Sequence, residues 1–320
     1  MIDSTTVETL LATPTDYIRW GASVMGRAEA NGALYFGHGT DNAIDESIRL
    51  VLGSLNLPQD TPDRLLQGQL LMAERRCLIE QFRLRIEARI PLPYLTHESL
   101  FAGLPFYVDE RVLIPRSPIA ELIEQQFYPW VEPGNINSIL EIGTGSGCIA
   151  IACSQEFPLA TVDAVDLSAE ALAVATLNVD RFGVAEQVRL IQSDLFAAVS
   201  NRRYGLIVTN PPYVDQQDLQ AMPAEYHAEP RMGLEAGSDG LDLVVQILLE
   251  APTYLEENGV LVVEVGNSEV ALEQIFPQLP WNWVDFERGG HGVFVIDHDT
   301  LVSHQPLFHQ EQERRRAGAV

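Results

Sequence analysis

The run Asn210-Pro211-Pro212-Tyr213 follows directly on the apolar stretch Leu206-Ile207-Val208-Thr209. Two successive prolines fix the backbone and remove two amide donors, which leaves a turn rich in acceptors. The Asn210 side-chain oxygen and the Pro211 carbonyl can point at one place, with the Tyr213 ring as a flat cover. Such a set suits a planar NH₂ group: two acceptors hold its two hydrogens and the aromatic covers its plane. An amide or aromatic-amine nitrogen is a poor nucleophile because its lone pair is delocalised. Acceptors on its hydrogens stabilise the positive charge that grows as it attacks a methyl group in line. A proline-rich loop without chemistry is the bland alternative, and the position after a strand favours the first reading.

A second constellation is Glu141-Ile142-Gly143-Thr144-Gly145-Ser146-Gly147, which follows the apolar Ser138-Ile139-Leu140 and opens a helical pattern. Its glycines let backbone approach a ligand. The spacing is GxGxG, not the GxGxxG of dinucleotide sites, and Glu141 puts a carboxylate where a pyrophosphate would be repelled. A cationic ligand fits better, and S-adenosylmethionine carries both an ammonium and a sulfonium. Asp166 ends the next apolar run, where a carboxylate can accept both ribose hydroxyls or cap a helix before Ser168. Asp194, in Gln192-Ser193-Asp194-Leu195-Phe196, ends a third run. There it can receive an adenine amino group while Leu195 and Phe196 pack the base, or it too can be a cap. Three acidic strand ends on one sheet edge are harder to explain as caps than any one of them.

Composition narrows the chemistry further. The 320 residues hold 20 Lys+Arg against 45 Asp+Glu, a net charge of −25, and no Lys occurs at all. That excludes Schiff-base lysines and P-loop chemistry. It also argues against binding duplex DNA or RNA, whose phosphates must be met by positive charge. The acidity itself could serve to attract a basic partner or reflect a salt-loving source. With 46% hydrophobic and 8% aromatic residues, the chain is a folded one. Cys77, Cys148 and Cys153 form no CxxC pair and the seven His no HExxH or HxH, so neither a metal centre nor a disulfide framework is expected. MIDSTTVETL has no signal-peptide character and no run is long enough to span a bilayer. The expectation is a soluble cytoplasmic protein with no membrane contact.

The elements that must position these residues fall into two halves. Residues 1–93 read as helical. Thr13-Pro14 opens a helix through Tyr17, Trp20 and Met25, and the Gly37–Asn42 turn leads into Ile44, Ile48, Val51 and Leu52. Thr61-Pro62-Asp63 looks like the start of one long helix reaching Ile86. Arg75, Arg76, Arg83, Arg85 and Arg89 on it read as solvated charge paired with Glu74, Glu80 and Glu87. Pro91-Leu92-Pro93-Tyr94 breaks that helix. A β-hairpin over Phe101–Val108 then falls within a linker, 94–118. From 119 to 302 strand and helix alternate. Strands are expected at Ser138–Ile142, Thr161–Val165, Val188–Gln192, Leu206–Thr209, Gly259–Val265, Trp283–Phe286 and Val293–Ile296, with helices at Ala169–Phe182 and Leu241–Leu255. This is the pattern of a doubly wound parallel sheet with a ligand crevice at the strands' carboxyl ends. The polar tail 303–320, with Arg314-Arg315-Arg316, is expected to be disordered.

Together these motifs resemble the class I methyltransferases that use S-adenosylmethionine, and among them the HemK-like N(5)-glutamine methyltransferases, over about residues 14 to 300. The resemblance implies an α/β fold: a Rossmann-like, mostly parallel sheet with an antiparallel last strand, preceded by a small helical substrate-recognition domain and a β-hairpin joint. It implies that Gly143, Thr144, Gly145, Ser146 and Gly147 form the cofactor loop, with Asp166 on the ribose, Asp194 and Leu195 at the adenine, and Asn210 to Tyr213 as the substrate clamp. Ile114-Pro115-Arg116-Ser117-Pro118-Ile119, Glu229-Pro230-Arg231-Met232-Gly233-Leu234, Gly237-Ser238-Asp239-Gly240-Leu241 and the HGTDN run at 38–42 resemble the branch acting on ribosomal protein uL3, free or in early assembly. The release-factor branch typically carries Pro-Arg-Pro and then an acidic-Thr-Glu run where Ser117-Pro118-Ile119-Ala120 stand here. Release-factor methylation is thus the second expectation. An amino-group DNA methyltransferase, which also uses NPPY, and a non-catalytic ribosome-assembly factor are more distant ones.

Overall fold

The computed structural model describes residues 4–237 and 239–318; Ser238 of the Gly237–Leu241 run and the last two residues of the tail lie outside them. The chain divides into two compact units. One comprises Met1–Ser99, Val108–Glu110 and Met222–Glu229, the other Leu100–Tyr107, Arg111–Ala221 and Pro230–Val320.

The helical unit contains α1 (Ser4–Leu10), α2 (Pro14–Ala30), α3 (Ala43–Ser54), α4 (Asp63–Leu66), α5 (Met72–Ile86) and α6 (Leu92–Thr96). A capping box opens α2: Thr13 Oγ1 accepts from Asp16 N at 3.2 Å and Asp16 Oδ2 from Thr13 N at 3.0 Å. Asn42, the last residue of the HGTDN run, caps α3 by accepting from Ile44 N and Asp45 N. Tyr17, Met25, Leu50, Val51, Leu78 and Phe82 form its core.

Two expectations for this unit are corrected. The single helix from Asp63 to Ile86 is two helices. Thr61 Oγ1 donates back to Pro58 O at 2.6 Å instead of receiving a helix N–H, and the chain turns at Gly68, whose N–H bonds Leu65 O. The second helix starts afresh, with Glu74 accepting from Leu71 N at 2.7 Å. The arginines, likewise, are not all solvated. Arg83 pairs with Glu80 at the surface as expected. Arg85 is 1% exposed, because it shares a helix face with Leu78 and Phe82 and so points inward. It donates to Glu46, to Glu225 at 3.2 Å and to Tyr35 O at 2.7 Å. Arg89 binds both Glu225 oxygens, at 2.6 and 2.5 Å, and Tyr35 N donates to the same carboxylate at 2.9 Å. Nearby, buried His38 meets buried Glu229 at 3.0 Å.

The α/β unit starts with the hairpin strands β1 (Ser99–Phe101) and β2 (Leu104–Phe106). The hairpin is no free spacer: Phe101 and Phe106 are buried in the core of this unit. Then follow α7 (Ile119–Glu124), β3 (Ser138–Ile142), α8 (Cys148–Glu156), β4 (Thr161–Asp166), α9 (Ala169–Phe182), β5 (Val188–Gln192), β6 (Tyr204–Thr209), α10 (Gln216–Ala221), α11 (Asp242–Tyr254), β7 (Leu255–Glu264), α12 (Glu269–Ile275), β8 (Asn282–Trp283), β9 (Val293–Asp297), α13 (His298–Ser303) and α14 (Gln305–Gly318). The sheet order is β5-β4-β3-β6-β7-β9-β8. The first five of these strands run parallel, and β9 and β8 are antiparallel to their neighbours. Side chains alternate between two cores: Ile139, Val162, Leu206 and Val262 on one face, Leu140, Val165, Ile207 and Val263 on the other. The strand expected at Trp283–Phe286 shrinks to two residues.

The tail expectation is also corrected. Residues 305–318 form α14, with Phe308 fully buried edge-on to Phe276 at 5.3 Å. Arg315 donates to Asp239 at 2.7 Å, Asp242 at 2.6 Å and Glu311 at 2.8 Å. Phe308, Glu311 and Arg315 lie at helical spacing, a stripe that the polarity of the rest conceals.

Candidate active site

The chain after β3 crosses to β4 on one side of the sheet, while β6 lies on the other. A crevice opens where strand order reverses. Register brings the motifs to its rim: Ile142 pairs with Val165 on one side and with Thr209 on the other, so Gly143, Asp166 and Asn210 all emerge at one edge. Thr209 Oγ1 ties β6 to β3 by donating to Ile142 O at 2.8 Å.

The crevice is a cleft open to solvent. Of the expected residues it is lined by Gly143, Gly145, Asp166, Asp194, Leu195, Asn210, Pro211 and Pro212. Gly143 and Gly145 have φ of +74° and +53°. A side chain on Gly145 would point into empty space, and one on Gly143 would meet only Asn210 O at 3.9 Å. Glycine here thus serves both the left-handed turn and the room above it.

Glu141, Thr144, Ser146 and Gly147 do not line the cleft and brace it from behind; Tyr213, half-buried, follows the cleft-lining Pro212 without itself lining the cleft. Glu141 is 1% exposed, and its Oε2 accepts from Thr144 Oγ1 at 2.5 Å and Ala150 N at 2.9 Å. Burial pushes its carboxyl up to about 8, against those two hydrogen bonds. Asn178 of α9 donates to Ser146 O at 2.8 Å and Tyr107 O at 3.0 Å, and accepts from Tyr107 N at 2.7 Å. The glycine loop is thereby fixed to the chain just after the hairpin.

Asp166 accepts from Gly145 N and Ser168 N, each at 2.8 Å, and burial raises its pKa from the ordinary value. The cap of α9 is Ser168, whose Oγ accepts from Ala171 N at 3.1 Å. Leu195 sits at φ +44°, held by Ser193 Oγ, which donates to Leu195 O at 2.8 Å. One residue of the expected base pocket is corrected: Phe196 is fully buried, stacked on Tyr254 at 4.5 Å, because it faces the core as its neighbour faces the cleft. Sequence reasoning missed Arg111, Val112, Leu113, Ser193 and Leu243, and took Pro230, Met232 and Gly233 only as a branch marker; all line the cleft. Among the described residues no cluster of His, Cys, Asp or Glu is placed to hold a metal, and no helix is long and apolar enough to cross a membrane.

Residues 129–227, which carry the glycine loop, both strand-end aspartates and the clamp, match the family model "Methyltransferase small domain". A solved methyltransferase from Pyrococcus furiosus aligns at a TM-score of 0.45 and 20% identity, covering 61% of this chain and 89% of that one. The ribosomal protein uL3 glutamine methyltransferase of Francisella tularensis is 48% identical over 299 residues, 93% of this chain and 94% of its own length. Its counterpart from Xanthomonas campestris is 47% identical over 294 residues, 92% and 94% of the two lengths. With identity of this size over nearly the whole of both chains, the chain belongs to the family of ribosomal protein uL3 glutamine methyltransferases.

Proposed function

We propose that this protein transfers a methyl group from S-adenosylmethionine to the side-chain amide nitrogen, N(5), of a glutamine in ribosomal protein uL3, in the cytoplasm. One observation carries the reading: Asn210, Pro211 and Pro212 line the same cleft as Gly143, Gly145, Asp166 and Asp194. The donor set fits the cofactor. Two carboxylates and a turn of side-chain-free backbone suit a cationic nucleoside, and Ile142, Val165, Leu167 and Leu195 supply apolar wall.

When bound, S-adenosylmethionine supplies a methyl group on a positively charged sulfur. Asp166 would take the ribose hydroxyls: each of its oxygens accepts one backbone N–H and keeps a lone pair for a further donor. Asp194 and Leu195 would take the adenine edge and face. The Asn210 side-chain oxygen and the Pro211 carbonyl would hold the two amide hydrogens of the glutamine. They aim its nitrogen and stabilise the charge that grows there during attack. One of those protons is then lost to solvent, leaving a neutral N-methyl amide.

Incubation with labelled cofactor and unmodified ribosomal proteins, followed by mass spectrometric mapping, tests the reading; label on a uL3 glutamine is the expected result, and label elsewhere or nowhere overturns it. For the cofactor site, Asp166→Ala should weaken S-adenosylmethionine binding by about 1.5–3 kcal/mol, the worth of hydrogen bonds to a charged group. Calorimetry giving unchanged affinity would reduce Asp166 to a brace for Gly145 and Ser168.

The charge of −25 bears on the form of the substrate. Ribosomal proteins are basic because they lie against RNA, so an acidic enzyme should attract the free chain and be repelled by RNA-covered particles. Free uL3, or an early assembly intermediate, should be methylated faster than mature ribosomes. The kcat/KM should fall as salt screens the attraction. A kcat/KM that rises with salt in step with thermal stability would assign the acidity to a salt-loving source instead.

A further inference from the structure

Behind the clamp, the last residue of β7 is a carboxylate without an evident task. Glu264 is 4% exposed, and each of its oxygens meets a hydroxyl: Tyr213 Oη donates to Oε1 at 2.8 Å, and Ser117 Oγ donates to Oε2 at 2.5 Å. Ser117 is itself oriented, since its Oγ accepts from Ile119 N at 3.1 Å at the start of α7. Tyr213 is held at two further points. Ser268 Oγ donates to its carbonyl at 3.0 Å. Its ring packs on Gly266, where an added Cβ would lie 2.5 Å from a ring carbon. Gly266 in turn lies against Gly292, where an added Cβ would lie 2.3 Å from Gly266 O.

A carboxylate in the core of a sheet carries a desolvation penalty that a leucine would avoid. Here the bond from the Tyr213 hydroxyl fixes where the ring axis ends, and because a phenol O–H lies in the ring plane, the same bond favours one tilt of a ring that Gly266 leaves room for. A phenol that donates to a carboxylate also carries a more electron-rich ring, a better cover for a nitrogen acquiring positive charge.

We propose that Glu264 is a positioning residue for methyl transfer: it fixes the Tyr213 ring by its hydroxyl and enriches it, with Ser117 holding the carboxylate in register. The proposal rests on the reading of Tyr213 as part of the glutamine clamp. It acts on the transfer step and not on cofactor binding, because Tyr213 belongs to the clamp and neither residue touches the groups assigned to the cofactor.

The test compares wild type, Glu264→Gln, Tyr213→Phe and the double variant. Glu264→Gln is nearly isosteric and guards against a folding failure that Glu264→Ala could cause. Expected are a kcat about tenfold lower for each single variant, an unchanged KM for cofactor and an unchanged melting temperature. The double variant should be no slower than the slower single one, because both changes break one interaction. A kcat for Glu264→Gln within twofold of wild type, or losses that multiply in the double variant, overturns the proposal. A second arm needs no reaction: with ring-labelled tyrosine, the Tyr213 Cζ resonance should move in Glu264→Gln. No movement there refutes the contact even if wild type fails to methylate uL3, an outcome that would instead sink the functional reading.

Discussion

Asn210→Ala should abolish most methyl transfer while leaving the cofactor bound. The expected fall in kcat is about 10²-fold or more, the usual consequence of deleting one preorganised polar group aimed at developing charge. The argument is geometric. Pairing of Ile142 with Thr209 carries Asn210 to the same rim as Gly143, and the two prolines after it remove backbone freedom and donors at once. On the proposed assignment, loss of the side-chain oxygen would leave the target nitrogen one acceptor, on Pro211, and no fixed aim. The cofactor would keep Asp166, Asp194 and the glycine turn, so its dissociation constant, read by calorimetry, should move little. Single-turnover kinetics with free uL3 separates the two effects. Near-normal turnover would remove Asn210 from the clamp, and a large loss of cofactor affinity would place its main role on the other ligand.

What could be read from the sequence was what local chemistry decides. β3, β4 and β6 are mainly apolar and largely buried on both faces, the edge strand β5 is only partly buried, and glycine, aspartate and proline mark their ends to within a residue or two. Gly143, Gly145, Asp166, Asp194 and Asn210 were found because each stands at such an end. Residues that matter through long-range packing left no such mark. Phe196 looked like a base-stacking neighbour of Leu195, yet the left-handed turn at Leu195 sends Phe196 into the core. Arg111 and Leu243 reach the cleft from distant segments, with no motif of their own. Arg85 looked like one more surface arginine, and its face of α5, shared with Leu78 and Phe82, was the available clue. Its partners lie far off in the chain: Glu46 39 residues away and Glu225 140. Polarity hid α14 in the same way, since Phe308 alone among its first turns is fully apolar and buried.

Glu225→Ala should destabilise the helical unit by about 3–5 kcal/mol, the cost of leaving buried guanidinium groups uncompensated. Glu225 is fully buried and takes three donors: Arg89 in a bidentate fork, Arg85, and the Tyr35 backbone. Burial alone would raise its pKa; the hydrogen bonds from Arg89, Tyr35 N and Arg85 outweigh it and hold the carboxyl at about 2. A folded pKa below the ordinary 4.5 means that the stabilisation is complete above about 4.5 and fades as pH falls toward 2. Two measurements follow. Hydrogen exchange at neutral pH should show α3 and α5 of Glu225→Ala losing protection by about 10²- to 10⁴-fold, whereas β3 and β6 of the α/β unit keep theirs. In acid, the wild-type helices should lose protection between pH 4.5 and 2 more steeply than those of the variant, which has no such proton to take up. Equal slopes would mean that other carboxylates govern acid unfolding. An unchanged exchange pattern at neutral pH would mean that Glu46 and the Tyr35 carbonyl suffice for Arg85. The cluster ties Met222–Glu229, the stretch between the clamp and the cleft-lining Pro230, Met232 and Gly233, into the helical unit's core.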